Sequence, residues 1–117
     1  MIYNARMDIG IDLVAIDDFA QSCERTLHLV QILFTDSELS HAKQNGKNSM
    51  STLAGLFATK EALIKVGVIK PGEWLKASVI PDKSGKPVVF LDGVKLTSTK
   101  VSISHTIQYV IACVICQ

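Results

Sequence analysis

The hydrophobic and polar positions of this chain change period several times, and each change marks an element. From Met7 to Ile16, apolar Ile9, Ile11 and Leu13 alternate with Asp8, Gly10 and Asp12, which predicts a strand with one apolar face. Gly10, lacking a side chain, leaves room for something to approach the backbone there. From Asp17 the spacing lengthens. Phe19, Cys23, Leu27, Val30 and Phe34 mark the buried stripe of a helix running to Leu33, with Asp17 or Asp18 as its N-cap. Thr35-Asp-Ser-Glu38 has the form of a capping box and predicts a short helix ending near Gly46. A polar link over 46–49 leads into the longest periodic stretch, Ser51 to Val66. After loop-like residues 67–72, Trp74 to Ile80 and Val88 to Leu91 predict a hairpin about the turn 81–87. Asp92-Gly93 is a further turn, and 101–106 and 108–115 alternate as two more strands. Strands at both ends, with helices inserted after the first, predict an α+β fold: a mainly antiparallel sheet packed against a long central helix.

The central helix carries one misplaced charge. Leu53, Phe57 and Ile64 define its apolar face, with Ala54 and Leu56 flanking them. At about 100° per residue, Glu61 projects only about 40° from Phe57 and about 20° from Ala54. A carboxylate on an apolar face is paired, or it binds something. The plain alternative is an intrahelical pair with Lys65, one turn on.

Composition narrows the field. A chain of 117 residues suits one domain, taken here as 1–117, and its 48% apolar content is ordinary for a globular protein. A net charge of +1 leaves no electrostatic footprint for nucleic acid or an anionic membrane. No run approaches the roughly 20 apolar residues of a membrane span. The acidic N-terminal stretch does not resemble a signal peptide, so a cytoplasmic location is expected. Cys23, Cys113 and Cys116 are an odd set. In a strand, residues 113 and 116 point to opposite faces, so the C-x-x-C is read as two small core residues of a reduced protein. His28 and His41 fall on polar helix positions and are read as solvated.

Three signals remain: G-I-D-L from Gly10, F-A-T-K-E-A-L-I-K from Phe57, and S-I-S-H-T from Ser102. An Asp on a strand, a Glu on a helix and nearby lysines suit Mg²⁺ with a polyphosphate, because substrate oxygens complete the shell of a metal held by few protein ligands. Together with F-T-D-S-E-L at Phe34 and S-G-K-P at Ser84, and in this order, they resemble the holo-acyl-carrier-protein synthase family of 4'-phosphopantetheinyl transferases. The resemblance spans nearly the whole chain. It implies transfer of the phosphopantetheine arm of coenzyme A to a serine of an apo carrier protein, releasing adenosine 3',5'-bisphosphate. It implies Asp12 and Glu61 as metal-binding carboxylates and Lys65 as the lysine facing pyrophosphate. His105, with Ser104 and Thr106, matches the segment that contacts coenzyme A and supports catalysis. Lys60, Gly85, Lys86 and Pro87 are carried over as further coenzyme A contacts. Small members of the family are usually trimers with sites between protomers, which makes a homotrimer the expected assembly. The serine proton has three candidate acceptors in this reading: Asp12, Glu61 through a water, and His105.

The chain also departs from the family pattern. Asp18, after Asp17, stands where an arginine usually helps hold the acidic helix of the carrier. Leu56 replaces a second arginine, and a glycine-rich turn is reduced to Gly67-Val68-Ile69. These changes imply a divergent synthase serving a less acidic carrier. The alternative is a catalytically degenerate paralogue that binds coenzyme A or a partner without transferring anything.

Overall fold

The computed structural model describes residues 6–117. In chain order they form β1 (Asp8–Ala15), α1 (Ile16–Arg25), α2 (Leu29–Leu33), α3 (Asp36–Gln44), α4 (Ser49–Lys65), β2 (Ala77–Pro81), β3 (Pro87–Leu91), β4 (Val94–Lys95), β5 (Thr99–His105) and β6 (Tyr109–Cys116). The α+β class holds, and all the pairing is antiparallel. The strands divide into two sheets, ordered β1-β6-β5 and β2-β3-β4, where a single sheet was expected. Helix α4 packs along β1 and β6 of the first sheet, and α1 and α3 pack against α4.

The first sheet is covered on the face that the alternation did not single out. Gly10, Asp12 and Val14 turn toward α4, while Ile9, Ile11 and Leu13 point away and are 65%, 52% and 63% exposed. Gly10 explains the choice. A Cβ there would collide with the carbonyl oxygen of Ala62 in α4, so the absent side chain is what lets the helix lie against the strand.

The helix expected over 17–33 is two helices. After Arg25 the chain runs through an extended Thr26, and His28 adopts a left-handed φ of 61°. The break folds α2 back so that Phe34 meets the edge of Phe19 at 6.2 Å between centroids, and Leu27 is left exposed at the corner. Neither Asp17 nor Asp18 caps α1. Ala15 occupies that position without a side-chain bond, and both aspartates lie in the first turn, where the helix dipole favours them. Trp74–Lys76 forms a single 3-10 turn ahead of β2 rather than the start of a strand.

The capping box at Thr35 forms as expected. Its glutamate also does something the local pattern does not show. Glu38 is fully buried: Oε1 accepts from Thr35 N at 2.9 Å and Oε2 from Val79 N in β2 at 2.8 Å. The Lys60 ammonium, also fully buried, lies 2.6 Å from Oε1 and donates to the carbonyls of Leu33 and Trp74 at 2.8 Å each. Burial pushes Lys60 below the usual lysine range, and the charge and hydrogen bond of Glu38 oppose that shift. The pair therefore ties α2, α3, β2 and the Trp74 turn to the middle of α4. Lys60→Met leaves the Glu38 carboxylate buried without its counter-ion and orphans two carbonyls, and should cost about 3–5 kcal/mol. Urea unfolding checks this, and a loss below about 1 kcal/mol would contradict the pairing argument.

Candidate active site

Helix α4 has two flanks, and the candidate residues divide between them. On the β1 flank, Asp12 and Glu61 line one open cavity of about 710 Å³, with Phe57 and Trp74 in its wall and Asp18 also lining it. The strand supplies Asp12 because Gly10 brings α4 close, so a carboxylate two residues on faces the end of the same helix. Glu61 is half-buried, and its pKa is raised by burial and by the nearby charge of Asp12, with Lys65 pulling the other way. The lysine has its own anchors. Lys65 Nζ donates to the Ile11 carbonyl at 2.7 Å and sits 3.4 Å from Asp12 Oδ1. The intrahelical Glu61–Lys65 bridge offered as the plain alternative is not formed among the described residues; Lys65 reaches across to β1 instead.

Two carboxylates lining one cavity, near enough for the charge of Asp12 to raise the pKa of Glu61, are an arrangement a divalent cation would relieve. Among the described residues there is no cluster of three or more His, Cys, Asp or Glu suited to a metal. Two oxygen ligands still suit Mg²⁺ shared with phosphates, because Mg²⁺ keeps several waters and takes substrate oxygens. The donor set fits that ion and does not form a closed protein cage.

On the β5 flank of α4 lies a second cavity, of about 460 Å³. Its walls include Gly85, Lys86 and Pro87 from the β2–β3 turn, His105 from β5, and Leu56 on α4. The turn is locally shaped. Asp82 Oδ1 accepts from Ser84 Oγ at 2.6 Å, Ser84 N at 2.8 Å and Lys86 N at 3.0 Å, which holds its carboxyl below the usual range. Gly85 sits at φ 87°, a left-handed conformation that favours glycine, and this presents Lys86 to the cavity. Gly55 of α4 lines the same cavity, next to Ile103 of β5.

The remaining expected residues fall elsewhere. Lys60 is corrected: its ammonium is enclosed in the pair with Glu38 and is not available to a nucleotide. Ser104 is in register with Ile111 on β6, which pairs with Leu13 on β1, so it belongs to the row on the outer sheet face. Thr106 Oγ1 accepts from Gln108 N at 3.2 Å and Tyr109 N at 3.0 Å, which shapes the turn into β6. Neither Ser104 nor Thr106 lines the cavity that holds His105. His41, read as a solvated helix residue, is half-buried and does line it. Nothing local marks His41 in the sequence, because α3 meets this cavity through its packing on α4 and β2. The thiols Cys113 and Cys116 are free and half-buried, on opposite sheet faces.

The chain has clear relatives. The 4'-phosphopantetheinyl transferase superfamily profile matches residues 8–114. A holo-[acyl-carrier-protein] synthase of Chloroherpeton thalassium is 36% identical over 93% of this chain and 96% of its own length. Among solved structures, an ACPS–CoA complex ascribed to Chronobacterium ammoniagenes superposes with a TM-score of 0.83 at 27% identity, covering 97% of this chain and 98% of that one. A Bacillus anthracis holo-(acyl-carrier-protein) synthase in complex with CoA (3',5'-ADP) gives 0.76 at 28% identity, covering 92% and 93%. By sequence and by fold, this chain belongs to the 4'-phosphopantetheinyl transferase superfamily.

Proposed function

We propose that the protein is a holo-[acyl-carrier-protein] synthase acting as one domain over 1–117, moving 4'-phosphopantetheine from coenzyme A to a serine hydroxyl of an apo carrier protein. The observation that carries this reading is the carboxylate pair of Asp12 and Glu61, placed with Lys65 beside an open cavity in a chain of this superfamily. Phosphoryl transfer depends on positioning and charge neutralisation more than on covalent help from the protein. Lys65 is fixed by the Ile11 carbonyl, so its charge is already oriented when a pyrophosphate arrives. Mg²⁺ held by Asp12 and Glu61 would supply Lewis-acid polarisation of the phosphoryl oxygens. Lys86 and His105 hold the nucleotide on the other flank, and Asp12, Glu61 or His105 receives the serine proton.

A homotrimer is part of the proposal. The carboxylates and His105 lie on opposite flanks of α4, in separate cavities, so a site using both is completed by a neighbouring copy. The outer sheet face supplies a reason to associate: Ile9, Ile11, Leu13, Tyr109 and Ile111 are all exposed there. Fatty acid biosynthesis and a cytoplasmic location fit the reaction, and none of the helices of 6–117 is long and apolar enough to cross a membrane.

The test is incubation with coenzyme A, Mg²⁺ and a panel of apo carrier proteins, followed by the carrier mass. A phosphopantetheine mass gain on at least one carrier is expected; no gain on any sinks the reading. The panel also addresses carrier choice. Asp17 and Asp18 are exposed on α1, and Asp18 borders the Asp12–Glu61 cavity, so a strongly acidic carrier is repelled there. Asp18→Arg should raise transfer to such a carrier several-fold at low salt and less at high salt. Equal rates at every salt concentration would remove Asp18 from docking.

A further inference from the structure

The two cavities flanking α4 differ in charge. The one holding Asp12, Asp18 and Glu61 has no cationic side chain in its wall, and the one holding His105 has no carboxylate. The latter gathers His41 from α3, Lys86 from the β2–β3 turn and His105 from β5. The ion pairs of the described residues go to Lys60, Lys65 and Lys76, so none of His41, Lys86 and His105 is held in an ion pair among the described residues, although the charge of Lys86 is near enough to Asp82 to help lower its pKa. Three nitrogen-bearing side chains converging from three elements, with no carboxylate among them, suit an anion.

The wall that carries His41 is held firmly. Asn45 Nδ2 donates to Thr52 Oγ1 at 2.8 Å, and Thr52 Oγ1 donates to the Asn48 carbonyl at 3.0 Å. These bonds stitch the end of α3 to the start of α4 and engage Asn45 and Thr52. Leu56, buried in the same wall, offers no charge. His41 is therefore the one ionisable group on the helical side of the cavity, beside the hydroxyl of Ser51, and an imidazole donates a hydrogen bond in either protonation state.

We propose that His41 recognises the 3'-phosphate of coenzyme A. The chain then distinguishes coenzyme A from its 3'-dephospho form through a histidine on α3 and not through a cation on α4. This rests on reading the cavity as the nucleotide site. Lys86 and His105 face the same ligand from the strand side, which leaves the helical side to His41.

Calorimetric titration of the assembled protein with adenosine 3',5'-bisphosphate and with adenosine 5'-monophosphate tests the assignment without requiring transfer. Wild type should bind the bisphosphate more tightly. His41→Ala should weaken the bisphosphate about tenfold or more, in the range of a lost hydrogen bond to a charged group, and leave the monophosphate unchanged. The unchanged monophosphate also reports that the variant is folded. In turnover, His41→Ala should raise KM for coenzyme A more than it lowers kcat, with little change in KM for 3'-dephospho-coenzyme A. Leu56→Arg added to His41→Ala should restore the preference for the bisphosphate. Unchanged bisphosphate affinity in His41→Ala, or equal losses for both nucleotides, overturns the proposal. A protein that binds the bisphosphate through His41 but modifies no carrier keeps this inference and loses the transferase reading.

Discussion

Glu61→Ala should abolish phosphopantetheine transfer, by about a hundredfold or more, while leaving the protein as stable at neutral pH as the wild type or slightly more so. The two halves of this expectation have separate causes. Loss of activity follows from removing one of two carboxylates that hold Mg²⁺ beside the pyrophosphate, where positioned charge accounts for most of the rate. Retained stability follows from the direction of the shift at Glu61. Its pKa in the folded chain is raised, first by burial and then by Asp12. An acid raised above its unfolded value weakens the fold once pH rises through the folded pKa, and has no such cost below the unfolded pKa. At a pH above the unfolded value the shift is therefore a cost to the fold that alanine removes. Carrier mass after incubation reads the first half, and the urea midpoint reads the second. Undiminished transfer would remove Glu61 from the metal site, and a large drop in the midpoint would mean that it serves the fold.

Ile11→Asp with Leu13→Asp should dissociate the assembly and remove nearly all transfer, although neither side chain takes part in the chemistry. Both project from β1 into the apolar outer face, and both are more than half exposed in the single chain. Covering such residues is worth about 25 cal/mol per Å² of apolar surface, whereas burying a pair of aspartates per protomer is strongly opposed. Analytical ultracentrifugation should show monomers with unchanged circular dichroism. A second experiment isolates the shared site. Glu61→Ala and His105→Ala chains, each inactive alone, should regain partial activity when unfolded and refolded together, because some junctions then join an intact Glu61 to an intact His105. If the mixture stays as inactive as its components, each site is built within one chain. A double aspartate variant that remains trimeric would place the interface elsewhere.

Much of the local structure is written in short-range pattern. The alternation before Asp17, the capping box at Thr35, the long period from Ser51 and the hairpin about 81–87 all depend on neighbours in sequence, and each forms within a few residues of its expected limits. The misplaced carboxylate at Glu61 was legible for the same reason, since helical geometry alone puts it on the apolar side. What periodicity could not show was direction. An alternating strand has two faces, and the apolar one at Ile9, Ile11 and Leu13 is the one α4 leaves uncovered. Periodicity also ran on through Thr26 and His28, because continuing a stripe of apolar spacing does not reveal where a chain must turn to bring Phe34 back onto Phe19.

By itself, then, the amino-acid order determined the α+β class, the central helix, the superfamily and the chemistry available at Asp12, Glu61, Lys65 and His105. Packing decided which of these groups meet. Lys60, one residue from Glu61, is drawn inward to Glu38, because adjacent helix positions lie about 100° apart and only the tertiary structure says which faces the core. Lys65 turns to Asp12 rather than Glu61 because β1 brings the Ile11 carbonyl within 2.7 Å. His41, unremarkable on a polar helix, enters the His105 cavity because α3 is fastened to α4 by Glu38 on Lys60 and by Asn45 on Thr52. Each of these pairings spans residues distant in sequence, so its partner is set by which surfaces touch and not by local spacing.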